Sequence, residues 1–99
     1  NVSAAEVEEI LMRMPGVTEV AVVAAPDARF GEHACACVRM QPGHAPPDLD
    51  ALRAHFAAAG FAKQKWPEEI VAVEDFPRTP SGKIKKFVLR ADLRARAAS

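Results

Sequence analysis

Apolar residues recur at intervals of three and four in three stretches, and this spacing predicts three helices, at residues 3–13, 49–59 and 84–97. Ser3 and Glu6 form a capping box at the start of the first helix, and Pro15-Gly16 ends it. Asp48 is the expected N-cap of the second helix, and Gly60 is its expected left-handed stop. The apolar positions of these helices are Val7, Ile10, Leu11, Met14, Leu49, Leu52, Phe56, Phe87, Leu89 and Leu93.

Runs rich in β-branched and apolar residues predict three strands, at residues 18–24, 33–40 and 69–73. The second strand alternates and places Ala34, Ala36, Val38 and Met40 on one face. We expect it to run antiparallel to the first, after a loop over residues 26–33 (PDARFGEH), and we interpret residues 61–67 (FAKQKWP) as a linker. The element order predicts an α+β fold, with a small three-stranded sheet packed by helices.

The chain has the length and composition of one folded domain. It has 99 residues, of which 49% are apolar and 26% charged. No apolar run approaches the roughly 18 residues that cross a bilayer. The N-terminus is acidic, with no signal-peptide pattern and no initiator Met, so we expect a cytoplasmic domain cut from a longer chain.

Positive charge is concentrated towards the C-terminus although the net charge is zero. Residues 1–60 hold four Lys/Arg against eight Asp/Glu, and residues 61–99 hold nine against five. Within the last helix a basic row is spaced by four, at Lys86, Arg90 and Arg94. Two interpretations stay open, namely an anionic ligand at the C-terminal part and a solvated helix face.

Cys35, Cys37 and His33 share one face of the second strand and form a row of three possible metal ligands. A structural zinc site normally closes with four ligands, and no fourth Cys or His lies nearby. A disulfide between such near neighbours on one strand is geometrically poor. We therefore predict buried, reduced thiols and no metal site.

The segment 76–86, FPRTPSGKIKK, is the main candidate for chemistry. It is not a phosphate-binding P-loop, because Ser81-Gly82-Lys83 is followed by Ile84 and no upstream glycine has the required spacing. The three histidines, His33, His44 and His55, have no nucleophile partner in any motif. What remains is a loop stiffened by two prolines that presents the Lys83 ammonium, a group suited to an oxyanion or a phosphate. A lysine without a function is the alternative.

Residues 76–84 (FPRTPSGKI), with Leu89-Arg90, resemble the C-terminal lysine motif of the adenylate-forming enzymes. This family includes acyl- and aryl-CoA synthetases, luciferase-like ligases and peptide-synthetase adenylation domains. Further segments resemble motifs of the family and occur in the order that the family has. Within the family, the sequence is most similar to acyl-CoA synthetases. These segments are residues 1–8 after the interdomain hinge, Pro26-Asp27 with Gly31-Glu32 in the first loop, and the Lys-x-Pro segment Lys65-Trp66-Pro67.

The resemblance implies that residues 1–99 are a mobile C-terminal lid, and that a large N-terminal domain outside this chain holds ATP, Mg²⁺ and the carboxylic acid. It implies that Lys83 is the catalytic lysine of acyl-adenylate formation, with Ser81 and Gly82 beside it at the substrate. It also implies a surface for coenzyme A, formed by Phe30, Lys63, Lys65 and Trp66. For Trp66, packing against the sheet is the alternative.

On this interpretation the full-length protein is an acid–CoA ligase of fatty acid metabolism, and the isolated chain is inactive. Its partners are then its own N-terminal domain, the acid, ATP and coenzyme A, and not nucleic acid. A freestanding module that binds an anionic partner through the basic helix is the second hypothesis, and a small enzyme acting alone is the third. By analogy with the family, Lys83 is also a candidate for reversible acetylation, which would remove its charge.

Overall fold

A computed structural model describes residues 4–27 and 31–98, and it confirms the predicted α+β class. The sheet has three strands in the order β1-β2-β3, with β1 antiparallel and β3 parallel to the central β2. In chain order the elements are α1 (Ala4–Leu11), β1 (Val17–Asp27), β2 (Gly31–Met40), α2 (Leu49–Ala58), a 3₁₀ turn (Lys63–Lys65), β3 (Glu69–Ala72) and α3 (Lys86–Ala98).

Successive residues of a strand point to opposite sides, so the sheet presents apolar side chains on both faces. Helices cover both of them. On one face α1 and α2 pack over Val22 and Ala36, together with Leu52 and Phe56 of α2. On the other face α3 packs over a cluster that contains Ala21, Val23, Cys35, Cys37, Phe76, Leu89 and Leu93. The central strand is therefore buried on both sides, and the sheet is a rigid base for the loops at its ends.

The second helix forms where its local signals predict. The Asp48 carboxylate accepts a 2.8 Å hydrogen bond from Ala51 N, which caps the free amides of the first turn. At the other end Gly60 has φ +77°, and Phe61 N donates to Phe56 O. These contacts form a Schellman stop, which confirms both predicted helix ends.

The predicted loop over residues 26–33 is wrong, because the two strands continue through most of it. Pro26 pairs with Glu32 and Asp27 pairs with Gly31, so only residues 28–30 separate the strands. Proline is tolerated here because β1 lies at the edge of the sheet and needs no ladder donor on its outer side. The candidate ligand residue Phe30 lies outside the described residues.

The predicted start of the last helix is also wrong, since α3 begins at Lys86 and not at residue 84. Ile84 pairs with Arg78 in an isolated β-bridge, and Lys85 N donates to Pro77 O at 2.8 Å. Ile84 and Lys85 therefore pair with the preceding segment and are not part of the helix. Leu89 and Leu93 are buried one turn apart, as the spacing predicts. Phe87 lies two residues from Leu89, faces away from it and is 63% exposed.

Smaller differences occur at the remaining boundaries. The first helix spans Ala4–Leu11 and not 3–13, and Ser3 of its capping box lies outside the described residues. The linker at 61–67 contains the 3₁₀ turn, and β3 ends at Ala72, one residue earlier than predicted.

Cys35 and Cys37 are buried free thiols, as predicted. The hydrogen bond to Cys37, and then burial, raise the pKa of Cys35. Within residues 4–27 and 31–98, no three His, Cys, Asp or Glu side chains are grouped to hold a metal ion, and no helix is long and apolar enough to cross a membrane.

Candidate functional site

The lysine-bearing loop is a short β-hairpin. Its two arms meet at the bridge between Arg78 and Ile84, and Thr79 N donates to Lys83 O at 2.8 Å. Pro80, Ser81 and Gly82 form the three-residue connection between the arms. Lys83 is thus the first residue of the second arm, next to the tip.

The sequence of the tip fits this geometry. Pro80 has the φ that a first turn position requires, and Gly82 has φ +88°, which side chains rarely adopt. Gly82 N donates to Thr79 O at 2.9 Å and closes the turn. The Thr79 hydroxyl lies 2.9 Å from Ser81 Oγ and accepts a 3.1 Å hydrogen bond from Lys83 N. Ser81 and Thr79 therefore support the backbone from which Lys83 projects.

The side chain of Lys83 is exposed and makes no ion pair with a described residue. The Lys83 backbone is held by two hydrogen bonds to Thr79, so the ammonium projects from a fixed point and is available to a ligand. The structure thus brings together three of the predicted site residues, Ser81, Gly82 and Lys83.

A ring of alternating charges lies at the base of the hairpin. Glu19 Oε1 accepts from Arg39 Nη1 at 2.9 Å and also from Arg78 Nη2. Asp75 Oδ1 lies 3.3 Å from Arg78 and 3.9 Å from Arg39. The hydrogen bonds from Arg78 and Arg39 hold the pKa of Glu19 below its usual value, and the bond to Glu19 raises the pKa of Arg78.

Sequence reasoning missed this ring because its members come from three separated segments. Glu19 and Arg39 face each other across β1 and β2, whereas Arg78 is 59 positions from Glu19. No motif in the sequence distinguishes the four residues of the ring from ordinary charged surface residues. They are Glu19, Arg39, Asp75 and Arg78.

A groove of about 570 Å³ holds two of the residues that the resemblance implies for coenzyme A. Lys65 and Trp66 line it beside the apolar floor formed by Val7 and Val22. Trp66 also packs against the core cluster of α1 and α2, and its Nε1 donates to Phe61 O at 2.9 Å. Trp66 is therefore a partly buried residue that packs against the core and also lines the groove. Lys63 is not among the groove residues.

The structure divides the basic row of α3. Lys86 and Arg90 line the groove, and Arg94 does not. Lys86 is held 2.8 Å from the Glu8 carboxylate, whereas Arg90 has no ion pair with a described side chain. Arg90 is therefore the cation of this row that is available to a ligand in the groove. Glu32 and Glu68 also lie along the rim.

His33, which also lines the groove, links the three strands. Its Nε2 lies 2.5 Å from Glu69 Oε1 of β3, and its Nδ1 lies 3.3 Å from Asp27 Oδ2 of β1. His33 is therefore a strand residue, as predicted, with one hydrogen bond, to Glu69, while its buried Nδ1 makes no hydrogen bond with a described residue. These contacts provide no nucleophile for the imidazole to activate.

The chain is similar in sequence and in fold to known proteins. The profile of the family described as "AMP-binding enzyme C-terminal domain" matches residues 6–83. The chain is 45% identical over 96 residues to a medium-chain fatty-acid–CoA ligase of Escherichia coli (strain K12), covering 97% of the chain and 17% of that protein. It is 42% identical over 99 residues to a Streptomyces salicylyl-CoA synthase / salicylate adenylyltransferase, covering 100% of the chain and 18% of that protein.

A solved structure is also similar. The anthranilate CoA ligase AuaEII, in complex with anthranoyl-AMP, superposes with a TM-score of 0.86 at 32% identity, over 99% of this chain and 19% of that one. The chain thus spans less than a fifth of the length of these relatives. It belongs to the AMP-binding enzyme C-terminal domain family, the small C-terminal domain of adenylate-forming enzymes.

Proposed function

We propose that this chain is the C-terminal lid of a larger acid–CoA ligase, which converts a carboxylic acid, ATP and coenzyme A to the acyl-CoA, AMP and pyrophosphate. In this role Lys83 is the catalytic residue of acyl-adenylate formation. The observation that carries the proposal is the exposed Lys83 ammonium, which forms no ion pair within residues 4–27 and 31–98, next to the tip of a hydrogen-bonded hairpin in a chain of this family.

The chemistry of the first half-reaction needs such a group. A carboxylate oxygen attacks the α-phosphate of ATP and pyrophosphate leaves, so negative charge accumulates on several oxygens at once. An ammonium placed beside these oxygens stabilises the transition state, and it does so best when its position is fixed before the reaction. By resemblance to the family, we assign ATP, the acid and Mg²⁺ to the large N-terminal domain.

In the second half-reaction the thiol of coenzyme A attacks the acyl carbonyl and AMP leaves. We propose that the groove beside Trp66 receives the nucleotide part of coenzyme A. An indole face suits adenine, and Lys65 and Arg90 suit its phosphates. Phe30 and Lys63 stay predicted contacts of the same surface. Lys83 has no role in this step.

The test is Lys83→Ala in the full-length ligase, with the two half-reactions measured separately. We expect the rate of acyl-adenylate formation, measured by the release of pyrophosphate, to fall by about a hundredfold or more. Thioester formation from pre-made acyl-adenylate should stay within about twofold of wild type, because no charge at Lys83 is used there. Lys85→Ala, two residues along the same arm, is the matched control and should change neither rate. Equal losses in both half-reactions, or none, would contradict the assigned role.

The second hypothesis is a freestanding module that binds an anionic partner through α3. The division of the basic row weighs against it, because Lys86 is neutralised by Glu8 and Arg90 faces the groove. Titration with single-stranded and duplex DNA at two salt concentrations separates the hypotheses. Steeply salt-dependent binding is expected of the module only.

A further inference from the structure

We propose that Glu19 is a positioning residue for Lys83, and that its effect falls on acyl-adenylate formation. Its carboxylate fixes the direction in which the hairpin presents the ammonium. This inference rests on the role proposed for Lys83 above.

Glu19 is a reference point on the sheet. It lies in β1 opposite Arg39 of β2, directly after a register shift between Val17 and Glu19, where the Thr18 hydroxyl donates to Arg39 O at 3.0 Å. Its side chain is only 27% exposed, and Oε1 accepts from both Arg39 and Arg78. Charge-assisted hydrogen bonds at a partly buried carboxylate are stronger and less screened by salt than those of an exposed pair.

The position of Arg78 determines the position of Lys83. Arg78 lies in the first arm and pairs with Ile84 of the second arm, the immediate neighbour of Lys83. The bonds from Thr79 N to Lys83 O and from Lys85 N to Pro77 O, both 2.8 Å, connect the arms on either side of that pair. The contact of the Arg78 guanidinium with Glu19 therefore anchors to β1 the same hairpin backbone that carries Lys83.

Other contacts attach the hairpin segment away from its first arm. Phe76 is buried in the cluster under α3, and Ile84 of the second arm packs against that cluster. Lys86 is tied to Glu8. The bond between Glu19 and Arg78 adds a contact that ties the first arm, next to the tip, directly to β1. Asp75 also binds Arg78, at 3.3 Å, but its side chain is 70% exposed and lies on a loop.

The consequence is specific to one half-reaction. A displacement of a catalytic group by about 1 Å can cost on the order of a hundredfold in rate. Loss of the contact between Glu19 and the first arm therefore slows the step that uses Lys83. In our proposal the thioester step uses the groove at Lys65 and Trp66. Neither Glu19 nor the residues that it contacts line this groove.

The experiment compares Glu19→Gln with wild type in the full-length ligase, again with separate half-reactions. The amide keeps the shape of the side chain and removes its charge. We expect adenylate formation to fall by about 10- to 100-fold, and thioester formation from pre-made acyl-adenylate to stay within about twofold. Arg78→Lys keeps the positive charge but loses the planar guanidinium. We expect it, too, to slow adenylate formation and to leave thioester formation unchanged.

Glu9→Gln is the matched control. It removes the same charge from an exposed side chain whose ion-pair partner is Arg13, at 3.5 Å, and it should change neither rate. A merely stabilising role of Glu19 would lower both half-reactions together, and this result would overturn the inference, as would unchanged rates. If Glu19→Gln does not fold, Arg78→Lys provides the same comparison.

Lys83→Ala, measured in parallel, separates the two proposals. If it does not separate the half-reactions, the proposed function fails. If it does separate them and Glu19→Gln does not, the positioning role of Glu19 fails and the function of Lys83 stands.

Discussion

The Lys86 ammonium lies 2.8 Å from Glu8 Oε2, so the first turn of α3 is tied to α1. The same oxygen accepts a 2.8 Å hydrogen bond from Val22 N, an amide of the edge strand β1. One carboxylate therefore satisfies a strand donor and connects two helices on opposite faces of the sheet. An edge amide that is satisfied in this way is also protected from pairing with another chain.

We expect Glu8→Ala to lower the free energy of unfolding of this chain by about 1–3 kcal/mol, because it leaves the nearly buried Val22 amide without its acceptor. Glu8→Gln retains an acceptor oxygen and should cost less. Urea unfolding followed by circular dichroism measures both variants. Glu9→Ala removes a neighbouring exposed carboxylate and is the control. If Glu8→Ala is no more destabilising than Glu9→Ala, the contact with Val22 has no energetic role.

The tip of the hairpin depends on the backbone of Gly82. A Cβ at this position meets nothing within 4 Å, so the cost of a side chain comes from its φ of +88° alone. We expect Gly82→Ala to destabilise the hairpin by about 1–2 kcal/mol and to lower adenylate formation in the full-length ligase. Gly82→Asn should retain more activity, since asparagine tolerates the left-handed region better. Equal activities of the two variants would show that this φ is not what Lys83 requires.

Stability should depend on pH through Glu19. Its pKa is lowered in the folded state from the ordinary value of 4.5, chiefly by the hydrogen bond from Arg78. The unfolded chain therefore binds a proton at Glu19 more readily than the folded chain, and stability rises with pH through this range. The contribution is fully present above about pH 4.5 and is lost as the pH falls through the lower, folded pKa.

Denaturant unfolding between pH 3 and pH 7 tests this dependence. We expect the acid loss of stability to be shallower in Glu19→Gln than in wild type, since the variant has no proton to bind there. A slope identical to wild type in Glu19→Gln would mean that the ring does not hold in solution.

Local signals in the sequence were sufficient where the ends of a helix depend on neighbouring residues. The ends of α2 follow from Asp48 and Gly60, which act within one turn of the helix. For the lysine-bearing segment the prolines predicted a stiff loop, and the hairpin that it forms was not predicted. The family motif selected Lys83 from consecutive residues, and its catalytic role stays a prediction.

Features that depend on distant residues could not be predicted in this way. Ile84 has the spacing of a helical residue, but the bridge to Arg78 holds it in the hairpin. Pro26 reads as a loop residue unless the edge position of β1 is known. The contacts of Glu19 with Arg78 and of His33 with Glu69 join residues 59 and 36 positions apart, and periodicity carries no information about such pairs.

The groove gives the last prediction, which contrasts two arginines of one helix. Arg90 lines the groove with Lys65 and Trp66, whereas Arg94, one turn further along α3, does not. A charge-assisted hydrogen bond contributes about 1.5–3 kcal/mol, and 1.4 kcal/mol is a factor of ten in affinity. We therefore expect Arg90→Gln to raise the KM for coenzyme A in the thioester half-reaction by about tenfold or more. Arg94→Gln should leave it unchanged.

Dephospho-coenzyme A, which lacks the 3′-phosphate, locates the contact on the ligand. If Arg90 binds that phosphate, the difference between wild type and Arg90→Gln disappears with this substrate. If the difference persists, Arg90 binds the diphosphate. Equal effects of Arg90→Gln and Arg94→Gln would instead indicate a general attraction by the charge of α3, and the groove would then not be the binding surface.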